Sequence, residues 1–282
     1  MPTEEPAGPS AFYREDLADL AEYEFRIAQQ SCVGCAEYHA LWGYGRLAGI
    51  NDGVAIDAAL MAPVLARLAG PGARILIAGA ADAGLLALAA AATRQTRPNI
   101  SVADRCETPL AVCRRFAQAH ALAITTLRTE LAAESVQGRY DLILTHNLLL
   151  FVPPSARSSL LRNLASALSD RGRLVLANRM PLRQRRGIRP QYRNNANLWE
   201  ALAARRIGLP ESETAFRQRV ARLAAAEGSR ERALDRKSIE KHLLDAGLNI
   251  RERIEHDRRR AITTGGEVET VPTYLFVASI GD

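Results

Sequence analysis

The residues best suited to chemistry lie directly after two short apolar runs. The first run, residues 74–78, leads into the turn 79–84, which holds only small residues and one Asp between Gly79 and Gly84. Such a turn lets the backbone approach a ligand at the N-terminus of the following helix, which suits a nucleotide-like cofactor. The second run ends at Asp104, where doubly wound α/β folds place an acid that accepts hydrogen bonds from a ribose hydroxyl pair. The two signals support each other.

A further polar pair, His146 and Asn147, follows the apolar run of residues 140–145. Ligands of open α/β sheets bind beyond the carboxyl ends of the strands, so we expect these side chains to face a substrate. His146 is the first candidate for a general base, with a packing or capping histidine as the alternative. His39 and its neighbour Tyr38 are further catalytic candidates, and their position depends on how the N-terminal segment folds.

These residues must be positioned by strands that alternate with helices. The pattern predicts strands at residues 74–78, 100–104, 123–127, 140–145 and 173–177. Alternation of this kind indicates a parallel sheet in a doubly wound α/β fold. Near the C-terminus, the β-like runs 249–256 and 270–280 are typical of an antiparallel hairpin.

Residues 1–60 are expected to form an N-terminal tail and a helical cap. Apolar positions between residues 13 and 30 fall on one face of a helix, and Glu24 interrupts that face. Either this carboxylate lies at the rim of the buried stripe, or it points into a cleft. Residues 61–282 are expected to form the main domain, with a helical insertion at about residues 180–235.

Cys32, Cys35 and His39 are close enough in sequence to raise the question of a metal site. If the segment after Cys35 is helical, Cys35 and His39 share one face. A structural zinc site normally has four ligands, however, and neither Cys106 nor Cys113 belongs to a second Cys-x-x-Cys pair. The sequence therefore favours small buried cysteines, and no metal is predicted.

The composition is that of a globular chain with a basic excess. The 282 residues are 48% hydrophobic and carry a formal net charge of +6, and a chain of this length can bury a full core. No apolar stretch approaches the roughly 18 residues of a membrane span. The acidic, proline-rich N-terminus is unlike a signal peptide. We therefore expect a cytoplasmic protein with reduced cysteines and no membrane partner, and homodimer formation stays open.

Much of the localised basic excess follows the fifth predicted strand. The candidate substrate-binding residues in this segment are Arg179, Arg183, Arg186 and Tyr192. Forked guanidinium groups suit phosphate or carboxylate groups, so the segment favours an anionic substrate. A solvated loop with excess charge is the alternative.

Together these features resemble the class I S-adenosylmethionine (SAM)-dependent methyltransferases, over about residues 73–177 and the C-terminal hairpin. The resemblance implies an α/β fold with a Rossmann-like doubly wound sheet of seven strands, whose C-terminal hairpin is antiparallel. It also implies SAM as cofactor, with Asp104 at the ribose and Glu130 beside the adenine. The cofactor-binding residues implied in this way are Gly79, Ala81, Gly84, Asp104, Arg105, Glu130, Leu131 and Thr145.

One departure from the family pattern leaves the reaction open. The family commonly has an acid two residues before the first glycine of the turn, and Ile77 stands there. The favoured function is methyl transfer to a small, anionic metabolite. A cyclase or lyase that releases methylthioadenosine is the first alternative, and methylation of RNA or protein is the second. A nucleic-acid partner is disfavoured because no Asn-Pro-Pro-Tyr-like segment follows the fourth strand.

Overall fold

The computed structural model describes residues 17–51, 53–179, 198–228, 234–261 and 268–281. The strands are β1 (Arg74–Ala78), β2 (Asn99–Asp104), β3 (Ile124–Arg128), β4 (Tyr140–His146), β5 (Leu168–Arg179), β6 (Asn249–Ala261) and β7 (Val268–Ser279). The helices are α1 (Leu17–Ser31), α2 (Ala36–Leu47), α3 (Ala58–Leu68), α4 (Gly84–Thr93), α5 (Glu107–Ala119), α6 (Arg157–Ser166), α7 (Leu198–Ala204), α8 (Glu213–Gly228) and α9 (Arg236–Asp245).

The strands of the described residues form one seven-stranded sheet in the order β3-β2-β1-β4-β5-β7-β6. Strands β1 to β5 run parallel, β7 is antiparallel to β5, and β6 is antiparallel to β7. This arrangement confirms the predicted Rossmann-like doubly wound sheet with its C-terminal hairpin.

The central strands are apolar because helices cover both faces of the sheet. The four residues of β1 after Arg74 are all buried, and they contribute alternately to the two apolar clusters on the two sides of the sheet. The register pairs Ala78 with Ala103 and Ile77 with Leu144. The carboxyl ends of β1, β2 and β4 therefore meet at one edge.

Most predicted elements agree with the observed ones to within a few residues, and the largest differences lie in the inner strand β5 and in the edge strand β6. β5 starts at Leu168, earlier than predicted, and β6 extends to Ala261. β6 gains this length because its pairing with β7 continues to Ala261, which pairs with Val268. Polar edge residues can pair through their backbone alone, so a prediction from the side-chain pattern underestimates the length of the strand.

The helices α1 and α2, called the cap below, pack against each other. Gly43 permits their close approach, since a Cβ atom there would lie 2.7 Å from the Cα of Ala21. The cap shares an apolar cluster with α7 and α8, in which Phe25, Tyr44 and Phe216 are buried. Helix α1 also packs on α5, so the cap is joined to the sheet domain as well as to the insertion helices.

Among the helices of the described residues, none combines the length and the apolar character that a membrane crossing requires.

Candidate functional site

The turn between β1 and α4 is held in a conformation that requires glycine. Gly79 has a φ of +77°, and its N–H donates to the carbonyl of Ala103 at 2.8 Å. A Cβ atom at Gly79 would lie 2.7 Å from Cδ1 of Leu148. The turn is therefore in contact with the segment that follows β4. Ala81 is half-buried in this turn, and Gly84 begins α4.

Asp104 ends β2, and two backbone donors fix its carboxylate. The N–H of Ala80 donates to Oδ2 at 2.9 Å, and the N–H of Cys106 donates to Oδ1 at 2.7 Å. Burial raises the pKa of Asp104, and the two hydrogen bonds oppose that rise. The carboxylate is thus held in one orientation beside the β1 turn, where it can accept further hydrogen bonds from a pair of hydroxyl groups.

The remaining predicted cofactor residues lie around the same edge in different environments. Arg105 and Glu130 follow β2 and β3, and Arg105 Nη1 lies 3.7 Å from Glu130 Oε2 in a partly exposed pair. Leu131 is buried in the apolar core. Thr145 is also buried, and its hydroxyl oxygen has no hydrogen-bond partner among the described residues. An unpaired buried hydroxyl is costly, which makes Thr145 suited to a bound ligand or water.

Asp82, the acid in the turn between β1 and α4, contacts two side chains of the cap. Trp42 Nε1 donates to Asp82 Oδ2 at 2.9 Å, and Arg46 Nη1 lies 3.2 Å from the same oxygen. The other carboxylate oxygen of Asp82 accepts from the N–H of Gly84 at 2.7 Å. Because Trp42 and Arg46 both belong to α2, these bonds fix the cap above the turn.

His146, at the end of β4, pairs with a carboxylate from another element. Its Nε2 lies 2.8 Å from Oδ2 of Asp57, and Asp57, directly before α3, has no exposed surface. A carboxylate in this position orients an imidazole and stabilises its protonated form. Asp57 is not among the residues predicted from the sequence. An acid among the apolar residues at the start of α3 is its only local signal.

Asn147 links the ends of two strands. It has a φ of +58°, and its Oδ1 accepts from the N–H of Arg179 at 2.8 Å. Its Nδ2 lies 3.2 Å from Nδ1 of His146, the ring nitrogen that can accept when Nε2 donates to Asp57. Asn147 therefore holds β4, β5 and the imidazole in fixed positions relative to one another.

Tyr38 of the cap contacts the segment after β4 through aromatic rings. Its ring centroid lies 5.5 Å from that of Phe151 and 5.3 Å from that of Trp42. The cap thus reaches the turn after β1 through Trp42 and the segment after β4 through Tyr38. Both contacts lie at the sheet edge that carries Asp104 and His146.

His39 lies in a cluster with three cysteines. The cluster consists of Cys32, Cys35, His39 and Cys106, whose ligand-type atoms all lie within 4.8 Å of one another. Cys106, which belongs to no second Cys-x-x-Cys pair, is nevertheless the fourth member of this cluster. Cys106 stands one residue before α5, and the fold brings this helix start to the loop between α1 and α2. Spacing along the chain cannot reveal a contact between such distant positions.

Glu24 lies inside the cap and not at its rim. Its side chain is 2% exposed, and Oε1 lies 4.0 Å from Nδ1 of His39. Burial raises the pKa of Glu24 well above its usual range, and the nearby Asp82 raises it further. The interruption of the apolar face of α1 therefore marks a buried polar contact with α2.

Of the candidate substrate-binding residues, Arg179 ends β5 beside Asn147. Arg183, Arg186 and Tyr192 lie outside the described residues, so their assignment stays a prediction.

Comparison with known proteins shows the fold. No known protein family matches the sequence, and no curated protein matches it. A candidate methyltransferase from Bacillus halodurans C-125 superposes with a TM-score of 0.54 at 14% identity, covering 80% of this chain and 99% of that one. A SAM-dependent methyltransferase from Clostridium acetobutylicum ATCC 824 gives a TM-score of 0.52 at 12% identity, covering 85% and 99%. TehB from Haemophilus influenzae gives a TM-score of 0.50 at 13% identity, and the match covers 87% of this chain and 67% of TehB.

The chain therefore has the Rossmann-like fold of the class I SAM-dependent methyltransferases. Sequence identities as low as these support only the shared fold, and proteins with one fold can have many different activities.

Proposed function

We propose that this protein binds SAM and transfers its methyl group to a small, anionic molecule. The observation that carries the proposal is the carboxylate of Asp104, which Ala80 and Cys106 fix at the end of β2 beside the Gly79 turn. A ribose hydroxyl pair needs an ionised acceptor of fixed orientation at this point of a doubly wound sheet. Glu130, two residues after β3, would meet the adenine side.

The chain would contribute alignment, exclusion of water and a proton acceptor. SAM supplies an electrophilic methyl group on a sulfonium, and an in-line displacement needs mainly a well-oriented nucleophile. The imidazole of His146 can take a proton from an acceptor hydroxyl or amine, and Asp57 can stabilise the resulting charge. Asn147 would act as a positioning residue for that imidazole.

A small acceptor is favoured because the cap covers the edge of the sheet that carries the site. Trp42 and Tyr38 tie the cap to the turn after β1 and to the segment after β4. A covered edge suits a small enclosed substrate better than a polymer. Arg179, at the end of β5, supports an anionic group on that substrate, because a guanidinium can bind a carboxylate or phosphate in a bidentate manner.

The first test is calorimetric titration of the purified protein with SAM and with S-adenosylhomocysteine. We expect binding of both, and Asp104→Asn should weaken SAM binding roughly 10-fold or more, since it removes a charge-assisted hydrogen bond. Asp170→Asn is a matched control, because Asp170 is 95% exposed at the opposite end of the sheet. Absence of binding by the wild-type protein would contradict the proposal.

The products distinguish methyl transfer from cyclase or lyase chemistry. With SAM alone, a methyltransferase should show little turnover, and a screen of anionic metabolites should then yield S-adenosylhomocysteine in mass spectra. Ile77 is buried in the core, so the methionine end of SAM must find its polar partner elsewhere. Release of methylthioadenosine without an acceptor would replace methyl transfer with the cyclase or lyase reaction.

A further inference from the structure

Four side chains with metal-ligand chemistry converge beside the cofactor site. They are Cys32 and Cys35, which stand between α1 and α2, His39 of α2, and Cys106 at the start of α5. All the cysteines of the chain are free thiols in the structure. The ligand atoms of the four residues lie within 4.8 Å of one another, which leaves space for one ion at their centre.

The sulfur separations are within about 0.5 Å of those of a mononuclear tetrahedral site. Cys106 Sγ lies 3.3 Å from Cys32 Sγ and 3.8 Å from Cys35 Sγ. Two thiolates on one zinc, each with a Zn–S bond of about 2.3 Å, are about 3.8 Å apart in tetrahedral geometry. A disulfide would need about 2.05 Å. A [4Fe–4S] cluster, in which each cysteine binds a different iron, would need wider separations than these.

A buried carboxylate occupies the place of an outer-shell partner for the histidine. Nδ1 of His39 and Oε1 of Glu24 lie 4.0 Å apart, and neither atom has a hydrogen-bond partner among the described residues. Nδ1 therefore faces Glu24, and Nε2 is the nitrogen left for a metal. Histidines that bind zinc usually donate their other N–H to a carboxylate or carbonyl. A small shortening of this contact would complete that arrangement.

The cysteines also lie where thiolates are stabilised. Cys106 directly precedes α5, so its sulfur is close to the positive end of the helix dipole. The hydroxyl of Thr108, in the first turn of the same helix, lies 3.0 Å from Cys32 Sγ and can donate to it. Thr108 has no exposed surface. These contacts favour ionised sulfur at this position.

We propose that Cys32, Cys35, His39 and Cys106 bind one Zn²⁺ ion in a closed structural site. Three thiols lose their protons to solvent on binding, and neutral His39 completes four ligands. The ion has no open position, so its role is to cross-link the cap to the start of α5. Cys32 and Cys106 are separated by 74 residues, and a link across so long a loop restricts the chain strongly. This inference does not depend on the proposed methyl transfer.

Metal analysis of the purified wild-type protein under reducing conditions tests the site. After loading with Zn²⁺ and dialysis we expect about one zinc per chain, as a closed four-ligand site implies. X-ray absorption at the zinc edge should show three sulfurs at about 2.3 Å and one nitrogen at about 2.0–2.1 Å. Zinc that washes out on dialysis, or an environment of oxygen ligands, would overturn the proposal without any variant being needed.

Variants separate the four ligands from the rest of the chain. Cys106→Ala should lose the bound zinc, whereas Cys113→Ala should keep it. Cys113 is the matched control because it is a buried cysteine of the same helix outside the cluster. Glu24→Gln should keep the stoichiometry but weaken zinc binding about 10- to 100-fold in competition with a chromophoric chelator. Equal zinc retention by Cys106→Ala and Cys113→Ala would contradict the assignment.

Discussion

At the scale of single residues, the pair of His146 and Asp57 is the most informative contact of the site. Nε2 of His146 and Oδ2 of Asp57 are 2.8 Å apart, and the Asp57 carboxylate is fully buried. Because removal from water is costly for a lone carboxylate, Asp57 depends on such partners in the folded state. The same dependence makes the pair measurable by stability, without any knowledge of the methyl acceptor.

We predict that Asp57→Asn lowers the free energy of unfolding by about 1–3 kcal/mol, since it weakens a charge-assisted hydrogen bond to His146 in a buried site. Urea unfolding of Asp57→Asn, His146→Gln and the double variant forms a double-mutant cycle. The double variant should be less destabilised than the sum of the single ones, by roughly 1 kcal/mol. Additive effects would show that the two side chains do not interact.

Sequence spacing predicts where a residue lies when its position follows from the strand that it ends. It fails for a residue whose contacts come from a part of the chain far away in sequence. Gly79 and Asp104 each end an apolar run, so their place at the sheet edge follows from the run itself. Asp57 and Cys106 acquire their roles only through His146 and the cysteines of the cap. Burial of Glu24 in the cap likewise requires the packing of α1 on α2, which an amphipathic pattern alone does not specify.

At the scale of elements, the turn after β1 and the segment after β4 support each other. Gly79 combines a left-handed backbone conformation with the close approach of Leu148. Two separate costs therefore oppose a side chain at this position. One is the strained φ, and the other is the overlap with Leu148.

Gly79→Ala should lower the free energy of unfolding by about 2 kcal/mol or more, because both costs act together. In the background of Leu148→Ala, the same change should cost less, since the overlap is removed while the strained φ persists. Gly70→Ala serves as the control, as a Cβ atom there meets nothing within 4 Å. An equal cost of Gly79→Ala in both backgrounds would mean that Leu148 does not restrict the turn. Chemical denaturation of all variants gives the comparison.

The N-terminus of α9 carries a capping contact that should depend on pH. Asp235 Oδ1 accepts from the N–H of Ser238 at 2.7 Å. This bond, followed by a second one from the Ser238 side chain, lowers the pKa of Asp235 below its usual range. A lowered pKa means that the folded state favours the carboxylate. The capping contribution is therefore present above the ordinary aspartate pKa and is lost as the pH falls through the lower folded value.

Asp235→Ala should reduce the free energy of unfolding by about 1 kcal/mol at pH 7, as loss of an N-cap does. The difference from wild type should shrink when unfolding is measured below about pH 4, where the wild-type carboxylate also protonates. Asp245→Ala, at the other end of α9, is a matched control, because its pair with Lys241 is at the surface, where ion pairs contribute little, and an acid at a helix C-terminus gains nothing from the helix dipole. A difference that stays constant with pH would argue against an ionised cap.

The central strands and the order of helices could be predicted from sequence, because burial on both faces makes each strand a continuous apolar run. Edge strands are less predictable, because their residues need not be apolar and so form no continuous apolar run. β6 carries charged residues along most of its length and is held by backbone pairing with β7. Its extension to Ala261 therefore has little compositional signal.

At the scale of the whole molecule, several of the contacts that attach the cap to the sheet domain lie near Asp104. The α2 residue Trp42 binds the acid of the β1 turn, and Tyr38 packs on Phe151. The proposed zinc adds a third link through Cys106, whose N–H also donates to the carboxylate of Asp104. The residue that would bind the ribose thus shares a peptide segment with a metal ligand.

This shared segment predicts that zinc and SAM binding are coupled. Removal of zinc should loosen the start of α5 and the cap, and we expect SAM affinity to fall about 5-fold or more, within the usual range of coupling between sites. Linkage requires that saturating SAM raises zinc affinity by the same factor. Calorimetry on zinc-loaded and zinc-depleted protein, with Cys113→Ala as control, measures both directions. Equal SAM affinity in the two forms would leave the zinc site intact but uncoupled, whereas absence of SAM binding in the zinc-loaded form would refute the proposed function alone.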